Sequence, residues 1–549
     1  MTSRFIFSST DLQAVSGISQ TAVSVREWVW VGVVSALLLI LSSLPYLAGY
    51  RSQTTQQVFG GAVFDRQDYT VHLATMQIGA RGEWKYRMRL TSEPQQGAYV
   101  KLFYVFLGHV SRWLGLSLPA TYQAGRLFFG LLACLGVFAL SARLFPQPSA
   151  RRLAFVLCTA GAGLGWLQMA TGWLPQPDIS PIDFWLIDAY IFFGLLTLPH
   201  FAAVTAFLCG MLVCFLSFLR KPEIWKWLAI IALGLLLEMI QPYAPLLADL
   251  GMVGALLGQA LNQRHLNLRT WTALVGIGLS QVPLVVYNYL VFNANPLWRS
   301  FTAQNITLSP PPVYILWGFG LFWPLSLWGV WIVFRDPKPE RWMALAWSVG
   351  ALCLAYIPLA LQRRFLFAYS LPLGLLAVLG VTEGLYPWLE HWAPEWLAKR
   401  KLGLATLVVG LACLSSLYLS FGNMLFLSQR PASLFDPIAL VQGVDWLSRH
   451  AEVEDVVLSA METGQLVAAR AGLPVFLGHK IETVDYKRKS ELVREFFSGG
   501  MPSGWLHQEK VHWVISGPYE LVLGKGVENY PEIQLAYQQD GVAIYRVLP

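Results

Sequence analysis

The stretch WVWVGVVSALLLILSSLPYLAG, residues 28–49, decides the fold class of this chain. It carries no charge and exceeds the roughly 20 apolar residues that a helix needs to cross a bilayer. The whole chain of 549 residues agrees with it, because 55% are hydrophobic and only 13% are charged, whereas soluble proteins average about a quarter charged. We therefore predict a polytopic α-helical membrane protein. The same composition excludes disordered, collagen-like and coiled-coil chains.

Ten further apolar runs bring the predicted number of transmembrane helices to about eleven. The predicted spans are 28–49, 119–145, 153–173, 199–219, 225–243, 244–261, 270–292, 313–334, 342–361, 365–387 and 403–423. Residues 1–27 form the N-terminal segment, residues 28–425 the transmembrane module, and residues 430–549 a separate C-terminal domain. Within the module, a first outer loop covers about residues 51–118.

Lys and Arg in the connections predict the orientation, since they concentrate in cytoplasmic loops. They all fall on one side if the N-terminus is cytoplasmic: Arg4, Arg26, Arg143, Arg151, Arg152, Arg220, Lys221, Lys226, Arg264, Arg269, Arg335, Lys338, Arg341, Lys399, Arg400 and Lys401. This accounts for much of the net charge of +7, so no nucleic-acid partner is expected. We predict a multi-pass protein of the plasma membrane, with no cleavable signal peptide and an extracytoplasmic C-terminal domain.

Two outer segments are too long to be simple connectors. The first outer loop contains predicted helices at Asp68–Ala80 and Tyr99–Leu114, whose apolar faces favour the membrane interface. The C-terminal segment alternates predicted strands, at 455–459, 474–478 and 511–515, with predicted helices at 463–471 and 488–497, and it ends in a hairpin at Gln539-Asp540-Gly541. This pattern predicts a small α/β domain.

Polar residues of the transmembrane module gather at its predicted outer face. An ionisable group at membrane depth is unfavourable and therefore a functional candidate. The outer-face set comprises Asp65, Asp68, His72, Glu93, Asp178, Asp183, Asp188, His200, Glu238, Gln241, Tyr243, Asn288, Tyr289, Arg299, Gln304, Asn305, Gln362, Arg363 and Arg364. The predicted cytoplasmic loops carry little beyond orienting charges, so we predict one outward-facing polar site.

The pair Arg363-Arg364 is the most informative local signal, because it lies in a short outer loop where basic residues are disfavoured. Guanidinium groups bind phosphate oxygens in pairs, so an anion clamp is favoured. The alternative is that the pair binds ordinary lipid headgroups or fixes helix depth.

Asp65, Asp68 and His72 have the spacing of one helix face. They could supply a general base or hold a divalent cation. For Asp65 we favour a helix N-cap or a supporting role, and for Asp68 function and capping are evenly balanced. A helix-dipole role is expected for Asp183 or Asp188 taken alone, and a structural role for a lone His200.

Several short motifs resemble the GT-C superfamily of membrane glycosyltransferases. They are Asp68-Tyr-Thr-Val-His-Leu-Ala-Thr-Met-Gln with Gly82-Glu-Trp, Leu198-Pro-His-Phe, Gln241-Pro-Tyr, Ser309-Pro-Pro-Pro with Gly318-Phe-Gly, Gln362-Arg-Arg-Phe before Pro372-Leu, and Gly478-His-Lys-Ile-Glu-Thr. The layout of one span, a long outer loop with an early Asp, many spans and an outer C-terminal domain is similar too. The motifs resemble uncharacterised bacterial members, related to protein O-mannosyltransferases and the lipid A aminoarabinose transferase.

The resemblance implies transfer of a sugar from a polyprenyl-phosphate donor to a hydroxyl of a glycan, lipid or protein acceptor. Asp68 would act as the base, and Arg363 and Arg364 would bind the donor phosphate. The substrate pocket would include Asp65, His72, Glu93, Asp188, His200, Gln241, Tyr243 and Gln362. A single displacement would invert the anomeric centre. A divalent cation is possible but not required, and either Asp183 or Asp188 stands in for the family's second acidic motif.

Two other functions explain part of the sequence. A transporter or flippase for a lipid-linked or anionic solute would also use clustered polar groups and arginines, but transporters place polar segments at the midplane and show repeated halves. A structural or polymer-handling protein would act through its C-terminal segment. That segment shows no nucleophile and base together and no phosphate-binding loop.

Overall fold

A computed structural model describes residues 22–175 and 179–549 of the chain. Arg4 and Asp178 therefore lie outside the described residues. The helices of the first half are α1 (Val25–Arg51), α2 (Arg66–Ala80), α3 (Leu102–Leu114), α4 (Leu118–Leu144), α5 (Pro148–Ala160), α6 (Gly165–Thr171), α7 (Ile191–Thr197), α8 (Pro199–Arg220), α9 (Ile224–Ile240), α10 (Ala244–Gln263) and α11 (Leu268–Ala294).

The membrane part continues with α12 (Pro296–Gln304), α13 (Pro312–Phe319), α14 (Phe322–Arg335), α15 (Pro339–Leu354), α16 (Ser370–Leu379), α17 (Tyr386–Trp392) and α18 (Pro394–Ser428). By length and composition, seven helices among the described residues can cross a membrane, or up to nine if α5 with α6 and α13 with α14 each form one bent span. The chain thus has the character of a multi-pass membrane protein, as predicted.

Two of the eleven predicted spans fall short of that criterion. They correspond to α9, with 17 residues, and α15, with 16 residues. At 1.5 Å per residue these helices are about 26 and 24 Å long, less than the roughly 30 Å thickness of the hydrocarbon core. Each ends where the sequence prediction continued: α9 stops before Gln241, and α15 gives way to turns after Leu354.

The first outer loop is built around α2 and α3, which pack closely against each other. A side chain at Gly79 would approach the carbonyl oxygen of Val105 to 1.9 Å, and one at Gly108 would approach that of Met76 to 2.0 Å. Only glycine permits this backbone contact. The other side of α2 packs on the C-terminal segment, so α2 is covered by protein rather than by the membrane interface predicted for it.

The C-terminal segment contains a four-stranded mixed sheet with helices around it. The strands are β3 (Val457–Leu458), β4 (Trp513–Ser516), β5 (Ile533–Gln539) and β6 (Val542–Val547), in the order β3-β4-β6-β5. The helices are α19 (Ile438–His450), α20 (Met461–Arg470), α21 (Tyr486–Ser498), α22 (Trp505–Gln508) and α23 (Pro518–Leu523). The two helices predicted at 463–471 and 488–497 and the terminal hairpin are confirmed.

The strand predicted at 474–478 is wrong. Only Val475 makes an isolated bridge there, to Val457. The amide of Val475 instead donates to the carbonyl of Arg89 in the first outer loop, at 2.9 Å. The segment is thus shared between the small sheet and the outer loop, which keeps it from forming a continuous ladder with either.

The C-terminal segment is joined to the first outer loop at several further points. A short strand β1 (Gln57–Phe59) pairs antiparallel with β2 (Phe435–Pro437). Beside it, Arg66 forms an ion pair with the buried Asp436 at 2.5 Å. The C-terminal segment is therefore fixed against the loop that carries Asp68.

Candidate functional site

Arg363 and Arg364 lie on a short 3-10 helix, Gln362–Leu366, and both face Asp188. Arg364 Nη1 lies 3.0 Å from Asp188 Oδ1, and Arg363 Nε lies 3.8 Å from Asp188 Oδ2. The Asp188 carbonyl also accepts a 2.7 Å hydrogen bond from the amide of Ala368. The carboxylate thus orients both guanidinium groups, each of which stays about a quarter exposed.

Asp183 is positioned differently from Asp188. It is fully buried, and its Oδ2 accepts a 3.0 Å hydrogen bond from the amide of Gly165 at the start of α6. Of the two acidic candidates, Asp188 is therefore the one next to the arginines, while Asp183 holds a helix start.

Asp65 and Asp68 lie at the start of α2. Asp65 is the N-cap, as favoured from the sequence, and its Oδ1 accepts a 3.1 Å hydrogen bond from the Asp68 amide. Burial raises the pKa of Asp68 above its usual value; the positive charges of Arg364 and Lys101 act against this shift, and the negative charges of Glu482 and Asp188 reinforce it. Asp68 is thus within electrostatic range of the arginine pair.

An aromatic cluster lies beside Asp68. The imidazole of His72 stacks on Tyr104 with ring centroids 3.9 Å apart and lies 5.2 Å from the ring of His200. The Tyr104 hydroxyl is 2.6 Å from His200 Nδ1. Neither ring nitrogen of His72 has a hydrogen-bond partner among the described residues. Burial lowers the pKa of His72 well below its usual value, so the ring is neutral and available to a polar ligand.

The end of α7 lies directly before His200 in the chain and fixes its position. Three consecutive carbonyls there accept hydrogen bonds from side chains of α1 and α4: Arg126 binds Leu195 at 2.8 Å, Tyr46 binds Leu196 at 2.9 Å, and Tyr122 binds Thr197 at 2.9 Å. Such carbonyls have no partner within a helix that ends. The buried polar residues of two membrane helices therefore fix the Leu198-Pro199-His200 turn.

Lys101 and Glu482, which were not predicted as site residues, form an ion pair whose charges act on Asp68. Tyr86 also donates a 2.9 Å hydrogen bond to Glu482. Burial by itself raises the pKa of Glu482, but the charges of Lys101 and His479 outweigh it, so the pKa is lowered. Glu482 belongs to the Gly478–Thr483 motif, which was a sequence signal for this site. For Lys101, its position inside the predicted helix Tyr99–Leu114 carried no such signal.

The remaining predicted pocket residues divide into two groups. Gln241 and Tyr243 belong with the arginines: the Tyr243 ring lies 6.3 Å from that of Phe365, and neither Gln241 Oε1 nor the Tyr243 hydroxyl has a hydrogen-bond partner among the described residues.

The other group has structural roles. Glu93 pairs with Lys489 of α21 at 2.6 Å, so it fastens the C-terminal segment to the outer loop. Gln362 accepts a 3.3 Å hydrogen bond from the Ser309 amide, which supports the arginine-bearing turn from below. Both side chains therefore have a protein partner, and a direct contact of either with the sugar stays a prediction.

In residues 22–175 and 179–549, no group of three or more His, Cys, Asp or Glu side chains is arranged to hold a metal ion. What the cluster offers is a partly buried carboxylate, two oriented guanidinium groups and several buried polar atoms without protein partners. Buried polar groups normally have partners. A concentration of buried polar groups without protein partners, beside two guanidinium groups, indicates a binding site for a polar, anionic ligand.

Comparison with known proteins gives a match in structure only. No protein-family model matches the chain, and no curated protein sequence matches it. Among solved structures, the arabinofuranosyltransferase AftD from Mycobacteria has a TM-score of 0.56 at 15% identity, covering 97% of this chain and 40% of AftD.

Two other similar structures are covered by this chain over most of their own length. The oligosaccharyltransferase AglB from Archaeoglobus fulgidus, in complex with an inhibitory peptide and a dolichol-phosphate, has a TM-score of 0.51 at 13% identity, covering 95% of this chain and 75% of AglB. ArnT from Cupriavidus metallidurans in the apo state has a TM-score of 0.50 at 14% identity, covering 95% of this chain and 98% of ArnT. These neighbours are GT-C glycosyltransferases, so the resemblance found in the sequence is confirmed at the level of the fold.

Proposed function

We propose that this chain, which has the fold of GT-C glycosyltransferases, is a membrane enzyme that transfers a sugar from a polyprenyl-phosphate donor to an acceptor hydroxyl. The observation that carries the proposal is the meeting of Asp68 with Arg363 and Arg364 in one cluster. Asp68 follows the first membrane helix and the arginines follow α15, yet Arg364 lies close enough to Asp68 for its charge to oppose the rise in the Asp68 pKa.

The chemistry needs a base on one side of the anomeric carbon and a cationic group on the other. The acceptor oxygen forms a bond to the anomeric carbon while its proton passes to the Asp68 carboxylate. The bond from that carbon to the phosphate oxygen breaks, and its electron pair leaves with the phosphate. A single displacement of this kind inverts the anomeric configuration.

Arg363 and Arg364 would bind the phosphate and stabilise the charge that grows on it as it leaves. Asp188 is then a positioning residue, because it holds both guanidinium groups by one edge. His72, Gln241 and Tyr243 would bind the sugar, since each has a polar atom without a protein partner. No step of this scheme requires a divalent cation.

We also propose eleven membrane crossings, with the N-terminus cytoplasmic and the C-terminal α/β domain on the outer face of the plasma membrane. Residues from the start of α8, the end of α9 and the loop after α15 all meet at one cluster. This arrangement supports the proposal that α9 and α15 also cross the membrane, as their longer neighbours do. The short helices would then cross with the bilayer thinned locally or with their ends extended by turns.

The test is turnover of polyprenyl-phosphate sugars by the purified full-length protein. Wild type should transfer the sugar or slowly hydrolyse the donor, Asp68→Asn should lose this activity, and Asp445→Asn should keep it, because Asp445 is an exposed acid on α19. If wild type consumes no member of a donor panel but moves a lipid-linked sugar across proteoliposomes, the transporter alternative replaces the transferase.

A further inference from the structure

A cavity of about 360 Å³ adjoins the candidate site at Lys101. It is formed where the outer ends of α9 and α11 meet the start of α3. Its apolar wall includes Met239, Leu284 and Phe292, and its polar wall includes Lys101, Glu238 and Asn288. The volume is at the lower end of the range for small-molecule sites. Because Lys101 also pairs with Glu482, the cavity and the cluster around Asp68 share a wall.

Glu238 is the residue of this wall whose buried carboxyl group lacks a partner. It is 1% exposed, and neither carboxyl oxygen has a hydrogen-bond partner in residues 22–175 or 179–549. Asp249 of α10, whose charge acts on Glu238, has the same sign. A buried carboxyl group without a partner is unfavourable, so a ligand that donates a hydrogen bond to it would be strongly preferred.

The charge of the wall distinguishes this cavity from a phosphate site. The ammonium group of Lys101 already pairs with Glu482, whereas Glu238 has no ion-pair partner among the described residues. A phosphate group would therefore meet a carboxyl group here rather than a free cation, in contrast to the site of Arg363 and Arg364. A hydroxyl or ammonium group would meet an acceptor, because a carboxyl oxygen accepts hydrogen bonds in either protonation state.

We propose that this cavity binds the acceptor, as an amphiphile whose hydroxyl or ammonium group donates a hydrogen bond to Glu238 while its apolar part packs on Met239, Leu284 and Phe292. The identity of the ligand as the acceptor rests on the proposed function. The preference of the cavity for hydrogen-bond donors over anions does not depend on the proposed function.

The test is native mass spectrometry of the full-length protein, released from lipid nanodiscs, with three probes that share an eight-carbon chain. These are octylammonium, octyl glucoside and octyl phosphate. We expect wild type to bind octylammonium and octyl glucoside at least 10-fold more tightly than octyl phosphate. Glu238→Gln should lose the preference for octylammonium and keep octyl glucoside, because an amide oxygen still accepts. Glu238→Leu should weaken both by about 10-fold.

The matched control is Glu223→Gln, because Glu223 is at the opposite end of α9 and already pairs with Lys221 and Lys226. It should leave all three affinities unchanged. Equal or tighter binding of octyl phosphate by wild type, or no change in any affinity in Glu238→Leu with a wild-type melting temperature, would overturn the proposal. If Glu238→Leu does not fold, the Glu238→Gln result alone decides. Selective binding without any sugar transfer would refute the transferase but leave the cavity's preference intact.

Discussion

Replacing Arg364 with glutamine tests the proposed phosphate site most directly. Arg364 Nη1 lies 3.0 Å from Asp188 Oδ1, which leaves the rest of its guanidinium fork for a second anion. The variant removes one positive charge, while Arg363 remains near Asp188 at 3.8 Å. Because Asp188 keeps Arg363 as a counterion, the loss in the free energy of unfolding should stay below the roughly 3–5 kcal/mol expected when a buried charge is left without any partner.

The expected loss of affinity follows from the value of one charged hydrogen bond. Such a bond contributes about 1.5–3 kcal/mol. With about 1.4 kcal/mol for each factor of ten, the dissociation constant of a polyprenyl phosphate should rise roughly 10- to 150-fold. Arg364→Lys should fall between wild type and Arg364→Gln, because it keeps the charge but loses the paired geometry of the fork.

The assay is equilibrium binding of a polyprenyl phosphate to the purified protein, with the melting temperature measured in parallel. Arg220→Gln is the matched control, since Arg220 also pairs with a carboxylate, Glu340, but at the far end of α8 from His200. A change of less than twofold in Arg364→Gln, in protein that melts like wild type, would refute the assignment of this arginine to the phosphate.

Three further variants test the groups around the arginines. Asp68→Asn should lower the turnover rate by about 10²–10⁴-fold. It should nevertheless melt higher than wild type at neutral pH, because burial raises the pKa of Asp68 in the folded protein. The Asp68 carboxyl group therefore makes its full contribution to stability below its unfolded pKa of about 3.9, and this contribution is lost as the pH rises through the folded pKa. Equal melting temperatures at neutral pH would contradict this. Glu482→Gln should shift the acidic limb of the pH–rate profile downward, because the Glu482 charge helps to raise the pKa of Asp68; an unmoved limb would count against it. Tyr104→Phe should destabilise the folded protein by about 1 kcal/mol, because it loses the 2.6 Å hydrogen bond to His200. Tyr69→Phe should leave the stability unchanged, because the Tyr69 hydroxyl has no partner among the described residues. Chemical denaturation measures the free energy of unfolding of both variants.

The sequence predicted the features that depend on nearby residues. Long apolar runs identified a multi-pass helical membrane protein, since a bilayer imposes the same length and hydropathy on any span. Asp65 was identified as a cap because capping needs only the next few backbone amides. The helices at 463–471 and 488–497 followed from local periodicity for the same reason. The number of membrane spans was harder to predict from the sequence, because α9 and α15 end at turns that a hydropathy pattern does not reveal.

Tertiary structure decided which polar residues meet. From the sequence alone, no choice was possible between Asp183 and Asp188 as the second acidic residue. Only packing brings Asp188 to Arg364 and Asp183 to the amide of Gly165. The sequence could not separate Glu93, whose carboxylate pairs with Lys489, from residues that remain available. The pairing of Lys101 with Glu482 joins residues far apart in the chain. Each of these outcomes is set by contacts between distant segments, and a side chain's local sequence does not encode which partner the fold will bring to it.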